Sequence, residues 1–288
     1  LLARPNSRSA LHHNRDEMTG VFPNQMIEAM VASGRIAIDA PLVEGQVQPA
    51  SQDLRLGSVA YRVRASFLAG QGAKVSDRLE EFEMHRIELS QGAVLEKGCV
   101  YVVPLMESLK LPDDVQAAAN AKSSTGRLDL LTRTITDGGT EFDRIPQGYH
   151  GPLYAEICPR SFSVLVRPGM RLNQIRFRSG QAVLDDDALR DLHAKTSLVN
   201  VDAVIDDGLG FSVDLRLADT TLVGYRAKPH TGVIDLDRIG QYEPAEYWEE
   251  VHSQNGRIIL DPGAFYILVS REAVHIPPRY AAEMAPYL

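Results

Sequence analysis

The spacing of apolar positions near the start of the chain predicts a short helix. Between residues 24 and 33 the apolar side chains fall on one helical face, namely Met26, Ile27, Met30 and Val31. Asn24 is the predicted N-cap, and Gly34 is expected to end the helix in a left-handed conformation. A second short helix is predicted over residues 185–195, where apolar positions again recur on one face.

The chain between these two helices has the period of β-strands. Apolar and polar residues alternate over residues 58–67, and residues 99–104 form an apolar run typical of a strand buried on both faces. Further short strands, separated by turns of Gly, Pro, Asp and Ser, are predicted over residues 153–158, 162–166 and 174–177. This pattern favours a mainly β fold, a barrel or jelly-roll-type sandwich with a few short helices.

Several segments of the first half recur, in the same order, in the second half. SQDLRL at residues 51–56 recurs as SVDLRL at 212–217, and Tyr61-Arg62 recurs as Tyr225-Arg226. A further set recurs at identical spacing: Gly98, Tyr101, Glu107 and Leu111-Pro112 match Gly263, Tyr266, Glu272 and Ile276-Pro277. Collinear matches of this kind indicate a domain duplicated in tandem.

The repeat divides the chain into three parts. Residues 1–17 are polar and without periodicity, so we expect a disordered N-terminal extension or a leader before Met18. The first domain is expected over residues 18–190 and the second repeat over 191–288. The second repeat is expected to be incomplete, because Leu288 corresponds to Ser123 and a half-barrel would expose strand edges. Either another chain completes it or the printed sequence lacks residues of the natural protein, and we favour the second interpretation.

Composition and charge narrow the class of protein. The apolar share of 44% and the charged share of 24% are ordinary for a soluble globular protein. No apolar stretch is long enough for a membrane helix, and no secretory signal is visible, so the cytoplasm is the expected location. Two cysteines, Cys99 and Cys158, are too few for a disulfide framework or a Cys-rich zinc site. The net charge of -8 argues against a broad nucleic-acid surface but allows a small anionic ligand.

Two segments have side chains suited to chemistry on a phosphorylated substrate. Residues 122–127, KSSTGR, combine two cations and three hydroxyls around a glycine, which suits phosphate, although a polar surface turn is the commoner interpretation. Glu156 lies on a predicted strand between Tyr154 and Cys158 on one face, and a carboxylate in such a partly apolar place can move protons. A glutamate on the wet face of a strand is the commoner alternative. The glycine-rich segment 145–151 forms either a pocket rim or a plain turn.

Together these segments resemble the dCTP deaminase family of the dUTPase-like superfamily, in its long, duplicated form. The matching segments are SQDLRLG (51–57), AKSSTGRL (121–128), RIPQGYHGPLYAE (144–156) and RPGMRLNQIRF (167–177). The resemblance implies a dUTPase-like β-barrel and hydrolytic removal of the 4-amino group of dCTP, which gives dUTP and ammonia without zinc. It also implies a homo-oligomer, a trimer or a pseudo-symmetric assembly of repeats, with no nucleic-acid or membrane partner.

The resemblance also implies a role for each matching residue. Glu156 is the implied general base and acid, and Ser123 and Arg127 match positions that orient the attacking water and hold the glutamate. The implied triphosphate loop consists of Lys122, Ser123, Ser124, Thr125, Gly126 and Arg127, with Mg²⁺ bound by the phosphates and not by a protein cage. Tyr154 and Ala155 match positions that flank the base, and Gln174 is a further expected substrate-binding residue.

The sequence departs from the family pattern near the glycine-rich segment. Pro146 occupies the place of an aspartate that binds the sugar in the family, with Asp143 close by, and residues 137–141 are an insertion. The closing C-terminal tail of the family is not found after residue 177. The residues that select deoxyribose are therefore open, as is inhibition by dTTP.

Two alternative functions stay beside dCTP deamination. One is a dUTP diphosphatase, or a bifunctional enzyme that carries dCTP through to dUMP, although the Gly-x-x-Asp-Ser-x-Tyr-x-Gly segment of dUTPases is absent. The other is an inactive nucleotide-binding regulator on the same fold, because a duplicated domain is free to lose its site.

Overall fold

The protein is mainly β, with a few short helices, as predicted. The computed structural model describes the backbone of residues 2–3, which form a short strand, and residues 19–285. The expectation of disorder over residues 1–17 otherwise concerns residues outside the described part of the chain. The helices are α1 (Asn24–Ala32), α2 (Val75–Phe82), α3 (Ser123–Gly126), α4 (Asp186–Lys195) and α5 (Pro244–Tyr247).

The strands are mostly short. In chain order they are β1 (Leu2–Ala3), β2 (Gly20–Val21), β3 (Ile36–Ile38), β4 (Val47–Gln48), β5 (Ser51–Arg55), β6 (Val59–Val63), β7 (Glu83–Glu88), β8 (Ala93–Leu95), β9 (Val100–Lys110), β10 (Val115–Ala121), β11 (Leu130–Thr136), β12 (Arg144–Ile145), β13 (His150–Pro159), β14 (Val164–Val166), β15 (Arg171–Ser179), β16 (Leu222–Ala227), β17 (Ile234–Asp235), β18 (Trp248–His252), β19 (Tyr266–Leu268) and β20 (Tyr280–Ala281).

The chain divides into two compact units. The larger unit contains Phe22–Phe177 together with Lys228–Glu246, a segment from the second half of the sequence. Its two main sheets have the strand orders β12-β10-β15-β5-β4 and β11-β13-β9-β6-β7, and a third has the order β17-β14-β8. The pairing of β14 with β17 is parallel, whereas β11, β13 and β9 pair antiparallel.

The other unit consists of Leu1–Val21, Arg178–Ala227 and Tyr247–Leu288. Its main sheet has the order β18-β16-β19. In this sheet Arg226 lies opposite Tyr266, the same register in which Arg62 lies opposite Tyr101 in the larger unit. Each of these tyrosine hydroxyls accepts a hydrogen bond of 3.0 Å from the backbone N–H five residues earlier.

The first helix begins differently from the prediction. The N-cap assignment to Asn24 is wrong: Asn24 is the first helical residue, and Pro23 takes the cap position without a side-chain cap. The reason is that the carbonyl of Pro23 accepts the first intrahelical hydrogen bond, from the backbone N–H of Ile27 at 3.2 Å, which makes Pro23 the N-cap. Gly34 has the left-handed φ of +71° expected at the helix end.

Strand β9 extends six residues beyond the predicted end at Pro104. Pro104 does not end the strand, because the pairing with β13 shifts register between Pro152 and Tyr154 and so accommodates it. The polar continuation is stabilised by Glu107, whose buried carboxylate binds the backbone N–H and the guanidinium Nε of Arg55, each at 2.8 Å. Glu107 also accepts a hydrogen bond from Gln46.

Candidate active site

Glu156 lies in the middle of β13, which runs between β11 and β9. The predicted alternation holds: Leu153, Ala155 and Ile157 are fully buried on one face of the strand. Glu156 is on the other face and is also buried, with a relative exposure of 1%. This burial of a carboxylate excludes the interpretation of Glu156 as a residue on the wet face of the strand.

The carboxylate of Glu156 is held by one residue, Arg133. The two residues lie directly opposite each other in the β11–β13 register. Arg133 donates from Nε to Oε1 at 3.1 Å, and its Nη2 donates to the same oxygen. The other oxygen, Oε2, is buried and has no hydrogen-bond partner within the described residues. A buried carboxylate oxygen without a partner is costly unless a ligand or water meets it.

Arg133 is itself fixed from two further sides. Its Nη2 donates to the hydroxyl of Ser66 at 3.1 Å, and its guanidinium carbon lies 3.6 Å from the centroid of the Phe142 ring. Sequence analysis missed Arg133, although a charged residue within the strand LLTRTIT was a visible signal. What the sequence lacked was the register that places this cation against Glu156.

The phosphate-loop candidate forms a short, exposed turn. Residues 123–126 are the four-residue helix α3, in which Thr125 is buried. Ser123, Ser124, Gly126 and Arg127 are exposed. Within the described residues, no hydrogen bond joins Ser123 or Arg127 to Glu156, so the implied catalytic residues make no direct polar contact in this structure.

Lys122 points to a carboxylate. Its Nζ donates to Oδ2 of Asp53, a residue on β5 with a relative exposure of 1%. Arg171 lies on the same oxygen at 3.6 Å. The other oxygen of Asp53 is buried without a hydrogen-bond partner in the described part of the chain. Two partly exposed cations and one buried carboxylate therefore form a polar cluster of net charge +1 at the loop that was expected to bind triphosphate.

The residues expected around the base lie on two strands: Tyr154 and Ala155 on β13, and Gln174 on β15. Tyr154 packs against the edge of a hydrophobic cluster that includes Val63 and Ile135, and burial with nearby Asp137 raises the pKa of Tyr154 to about 12. Ala155 is buried and faces away from Glu156. Gln174, on β15, accepts a hydrogen bond from Ser51 at 2.9 Å.

The glycine-rich segment before β13 is anchored by Tyr149. Its ring is buried, and its hydroxyl donates to the carbonyl of Pro152 at 2.6 Å, so it is a core residue and is not presented for stacking on a base. Burial raises the pKa of Tyr149. Gly151 is required beside it, because a Cβ at that position would lie 2.6 Å from the tyrosine hydroxyl. Asp143 accepts from the backbone N–H of Thr134 at 2.7 Å and thereby closes the inserted loop onto β11.

Within residues 19–285 no group of three or more His, Cys, Asp or Glu side chains could hold a metal ion. None of the helices in the described part of the chain combines the length and the apolarity needed to cross a bilayer.

A mainly β fold that buries a glutamate against an arginine, with one carboxylate oxygen unpartnered among the described residues, has the features of a candidate enzyme site. The chain belongs to the 2'-deoxycytidine 5'-triphosphate deaminase family: the family's N-terminal domain matches residues 18–181 and its C-terminal domain matches residues 185–288. The resemblance drawn from the sequence is thus confirmed.

Individual relatives agree with this assignment. The chain is 52% identical to a crystal structure described as 2'-deoxycytidine 5'-triphosphate deaminase from Agrobacterium tumefaciens, with a TM-score of 0.87 over 91% of this chain and 79% of that one. It is 32% identical over 152 residues to the "dCTP deaminase, dUMP-forming" of Beutenbergia cavernae, which covers 52% of this chain and 75% of the relative. A protein of the same description from Methanosphaera stadtmanae is 29% identical over 161 residues, or 55% of this chain and 79% of the relative.

Proposed function

We propose that this protein catalyses the hydrolytic deamination of dCTP to dUTP and ammonia, with Glu156 as general base and acid. The observation that carries the proposal is the buried carboxylate of Glu156, with one oxygen held by Arg133 and the other without a partner. A proton-transfer group needs this combination of fixed orientation and a free, shielded oxygen.

The proposed reaction needs one water molecule and no redox step. The water oxygen attacks C4 of the cytosine ring while Oε2 of Glu156 takes its proton. Glu156 delivers that proton to N3, which relieves the charge that develops on the ring. It then moves the remaining hydroxyl proton to the 4-amino group. The C4–N4 bond breaks, ammonia leaves, and the C4 carbonyl of dUTP remains.

The triphosphate is proposed to bind at the loop of residues 122–127. The hydroxyls of Ser123, Ser124 and Thr125, the backbone at Gly126 and the cations of Lys122 and Arg127 supply the donors, and Mg²⁺ arrives bound to the phosphates as part of the substrate. Gln174 and the strand around Tyr154 and Ala155 are proposed to border the base.

A second copy of the chain is proposed to complete the site. Ser123 and Arg127 are exposed, while Glu156 has a buried oxygen to which neither of them donates a hydrogen bond within the described residues. A homo-oligomer in which Arg127 of one copy approaches Glu156 of another brings together the residues that the chemistry needs. Contact with a second copy would also give the exposed hydroxyls of this loop a role, which they lack in a turn that is only solvated.

A bifunctional reaction that continues to dUMP is the second candidate. What favours it is that the relatives from Beutenbergia cavernae and Methanosphaera stadtmanae are described as dUMP-forming. What favours dUTP is the higher identity, 52%, to the structure described only as a dCTP deaminase. An inactive nucleotide-binding regulator is the least favoured function, because Glu156 is retained and buried.

One incubation of the purified protein with dCTP and Mg²⁺ tests these functions. Nucleotides are separated by ion exchange, and ammonia and pyrophosphate are assayed in the same samples. We expect dUTP and ammonia in equal amounts. Formation of dUMP with pyrophosphate would establish the bifunctional reaction instead. Binding of dCTP without any conversion would overturn the enzymatic proposal and favour the regulator.

A further inference from the structure

Among the described residues, Arg133 is the one cation that contacts the proposed catalytic carboxylate, and further contacts fix its own position. Both of its hydrogen bonds to Glu156 fall on the same oxygen, Oε1, and come from Nε and Nη2. A guanidinium that binds both carboxylate oxygens would occupy a lone pair on each of them. Here the asymmetry leaves Oε2 as the only carboxylate oxygen of Glu156 without a partner.

Two neighbours keep the guanidinium of Arg133 in this orientation. Ser66 accepts a hydrogen bond from Nη2 at 3.1 Å, so this nitrogen is shared between Glu156 and Ser66. The Phe142 ring lies 3.6 Å from the guanidinium carbon and stacks on its face. Phe142 in turn packs against the hydrophobic cluster that contains Ile135 of β11. The orientation of Arg133 is therefore connected to the core.

We propose that Arg133 is a positioning residue for the deamination reaction. It binds Oε1 of Glu156 and thereby aims Oε2 at the water and at the ring nitrogen, while Phe142 and Ser66 prevent the guanidinium from turning onto the second oxygen. This inference rests on the proposed function, because it assigns Oε2 as the atom that carries the proton. Arg133 acts through Glu156 and not by contact with the substrate.

A purely structural ion pair makes a different prediction. Such a pair contributes to the stability of β11 against β13, and its removal lowers the resistance to urea without a selective effect on turnover. A misplacement of a catalytic group by about 1 Å typically costs about 100-fold in rate. A positioning role therefore predicts a large fall in kcat, a small change in KM and recovery of kcat by a guanidinium added in solution.

The test uses the full chain in Arg133→Met, Arg133→Lys, Arg133→Ala and Phe142→Leu forms, with Arg86→Met as the matched control. Arg86 is exposed and pairs with Glu88 at 2.9 Å on β7 of the same sheet, so this variant also removes an arginine–glutamate pair. Initial rates of ammonia release from dCTP give kcat and KM from pH 5 to pH 9. Circular dichroism and urea unfolding show whether each variant is folded.

We expect kcat to fall about 100-fold in Arg133→Met and about 10-fold in Phe142→Leu, with KM within about threefold of wild type. Millimolar methylguanidinium restores at least tenfold of the lost kcat in Arg133→Ala, and Arg133→Lys retains more activity than Arg133→Met. Arg86→Met matches wild type.

The outcomes separate this inference from the proposed function. If wild-type protein releases no ammonia from dCTP, both are overturned. If wild type is active and a folded Arg133→Met variant keeps kcat within threefold, only the positioning role is overturned. A rise in KM at unchanged kcat would also overturn it, because Arg133 would then bind substrate directly. Rescue of kcat by methylguanidinium in Arg133→Ala supports the inference even if the methionine variant is less stable.

Discussion

Arg167 and Asp235 form a bidentate ion pair, with Nη1 2.7 Å from Oδ1 and Nη2 2.9 Å from Oδ2. Asp237 adds a third contact of 2.8 Å to the same guanidinium. The pair lies where β14 runs parallel to β17, and it fastens the segment Lys228–Glu246 to the sheet β17-β14-β8. Arg167 is the first residue of the RPGM turn at residues 167–170. Its contact with Asp235 gives this arginine a structural role in the fold.

The ion pair predicts a stability difference that depends on pH. The hydrogen bonds from Arg167 hold the pKa of Asp235 well below its usual range, at about 2. A carboxyl with a lowered pKa contributes stability above its ordinary pKa and loses it as the pH falls from about 4 towards 2. We expect Asp235→Asn to lower the urea midpoint at pH 6 and to approach wild type as the pH is reduced to 3. Unfolding curves followed by circular dichroism measure this.

The exposed pair Arg86–Glu88 provides the comparison for this experiment. Arg86→Met should leave the urea midpoint unchanged across the same pH range, because an exposed pair contributes little. If the urea midpoints of Asp235→Asn and wild type differ by the same amount from pH 6 to pH 3, the loss of stability does not come from ionisation of Asp235.

A buried ion pair gives the second prediction. Glu107 is fully buried and binds Arg55 and Gln46, and burial raises the pKa of Glu107 despite these hydrogen bonds. Arg55→Met leaves the carboxylate without its cation, so we expect a loss of about 3–5 kcal/mol in the free energy of unfolding. The loss should increase as the pH rises above the ordinary range of a glutamate, because the ionised form is then the one left unpaired.

The double variant Arg55→Met/Glu107→Gln tests the cause. A neutral amide still accepts from the backbone N–H of Arg55 and needs no cation, so it should recover more than half of the lost stability. Equal stability of the single and double variants in urea would mean that lost packing, and not the buried charge, accounts for the effect.

Lys122 gives a third prediction, because the structure joins it to a buried carboxylate. Removal of Lys122 leaves Asp53 facing Arg171 at 3.6 Å, with its other oxygen unpaired. We expect Lys122→Met to lower the free energy of unfolding by about 2–4 kcal/mol and to raise the KM for dCTP. Lys122→Met/Asp53→Asn should recover the stability but not the KM. Recovery of both the stability and the KM would mean that Lys122 acts only through its ion pair with Asp53 and does not bind dCTP.

The sequence predicts local features of this fold well and distant pairings poorly. The alternation around Glu156 and the left-handed Gly34 depend on neighbouring residues, so both are visible in the chain. The contact of Arg133 with Glu156 depends on the register of β11 against β13 across an inserted loop, which residue spacing does not specify. The pairing of β14 with β17 joins residues about 70 positions apart and had no local signal.

The same reasoning applies to the error at the first helix. Asparagine is a favoured N-cap, but the first intrahelical hydrogen bond runs from Ile27 to the carbonyl of Pro23, so Asn24 is the first helical residue. Conversely, the similarity between the two halves extends from sequence to geometry. Tyr101 and Tyr266 each lie opposite an arginine on the neighbouring strand and each accept a hydrogen bond from the backbone N–H five residues earlier.

Glu156→Gln gives the fourth prediction and tests the proposed base directly. The amide keeps the shape of the side chain but cannot take a proton from water. We expect dCTP binding within about threefold of wild type and a loss of turnover of at least about 1000-fold. Binding is measured by calorimetry and turnover by ammonia release. Substantial turnover in a folded Glu156→Gln variant would exclude Glu156 as the base.

The last prediction concerns the completion of the site by a second copy. Arg127 is exposed and makes no hydrogen bond to Glu156 within the described residues. We expect Arg127→Met and Glu156→Gln each to be inactive. The first variant keeps Glu156 and the second keeps Arg127. The two variants are mixed in equal amounts, unfolded together and then refolded. Some sites then receive Arg127 from one chain and Glu156 from the other. With random assembly at a site shared by two chains, about a quarter of the sites carry both intact residues, and we expect a corresponding share of wild-type ammonia release. The control is each variant refolded alone, which should stay inactive. A mixture as inactive as its components, although the chains co-assemble, would place Arg127 and Glu156 of the same chain in one site, and the exposed loop would then have to move towards β13 when dCTP binds.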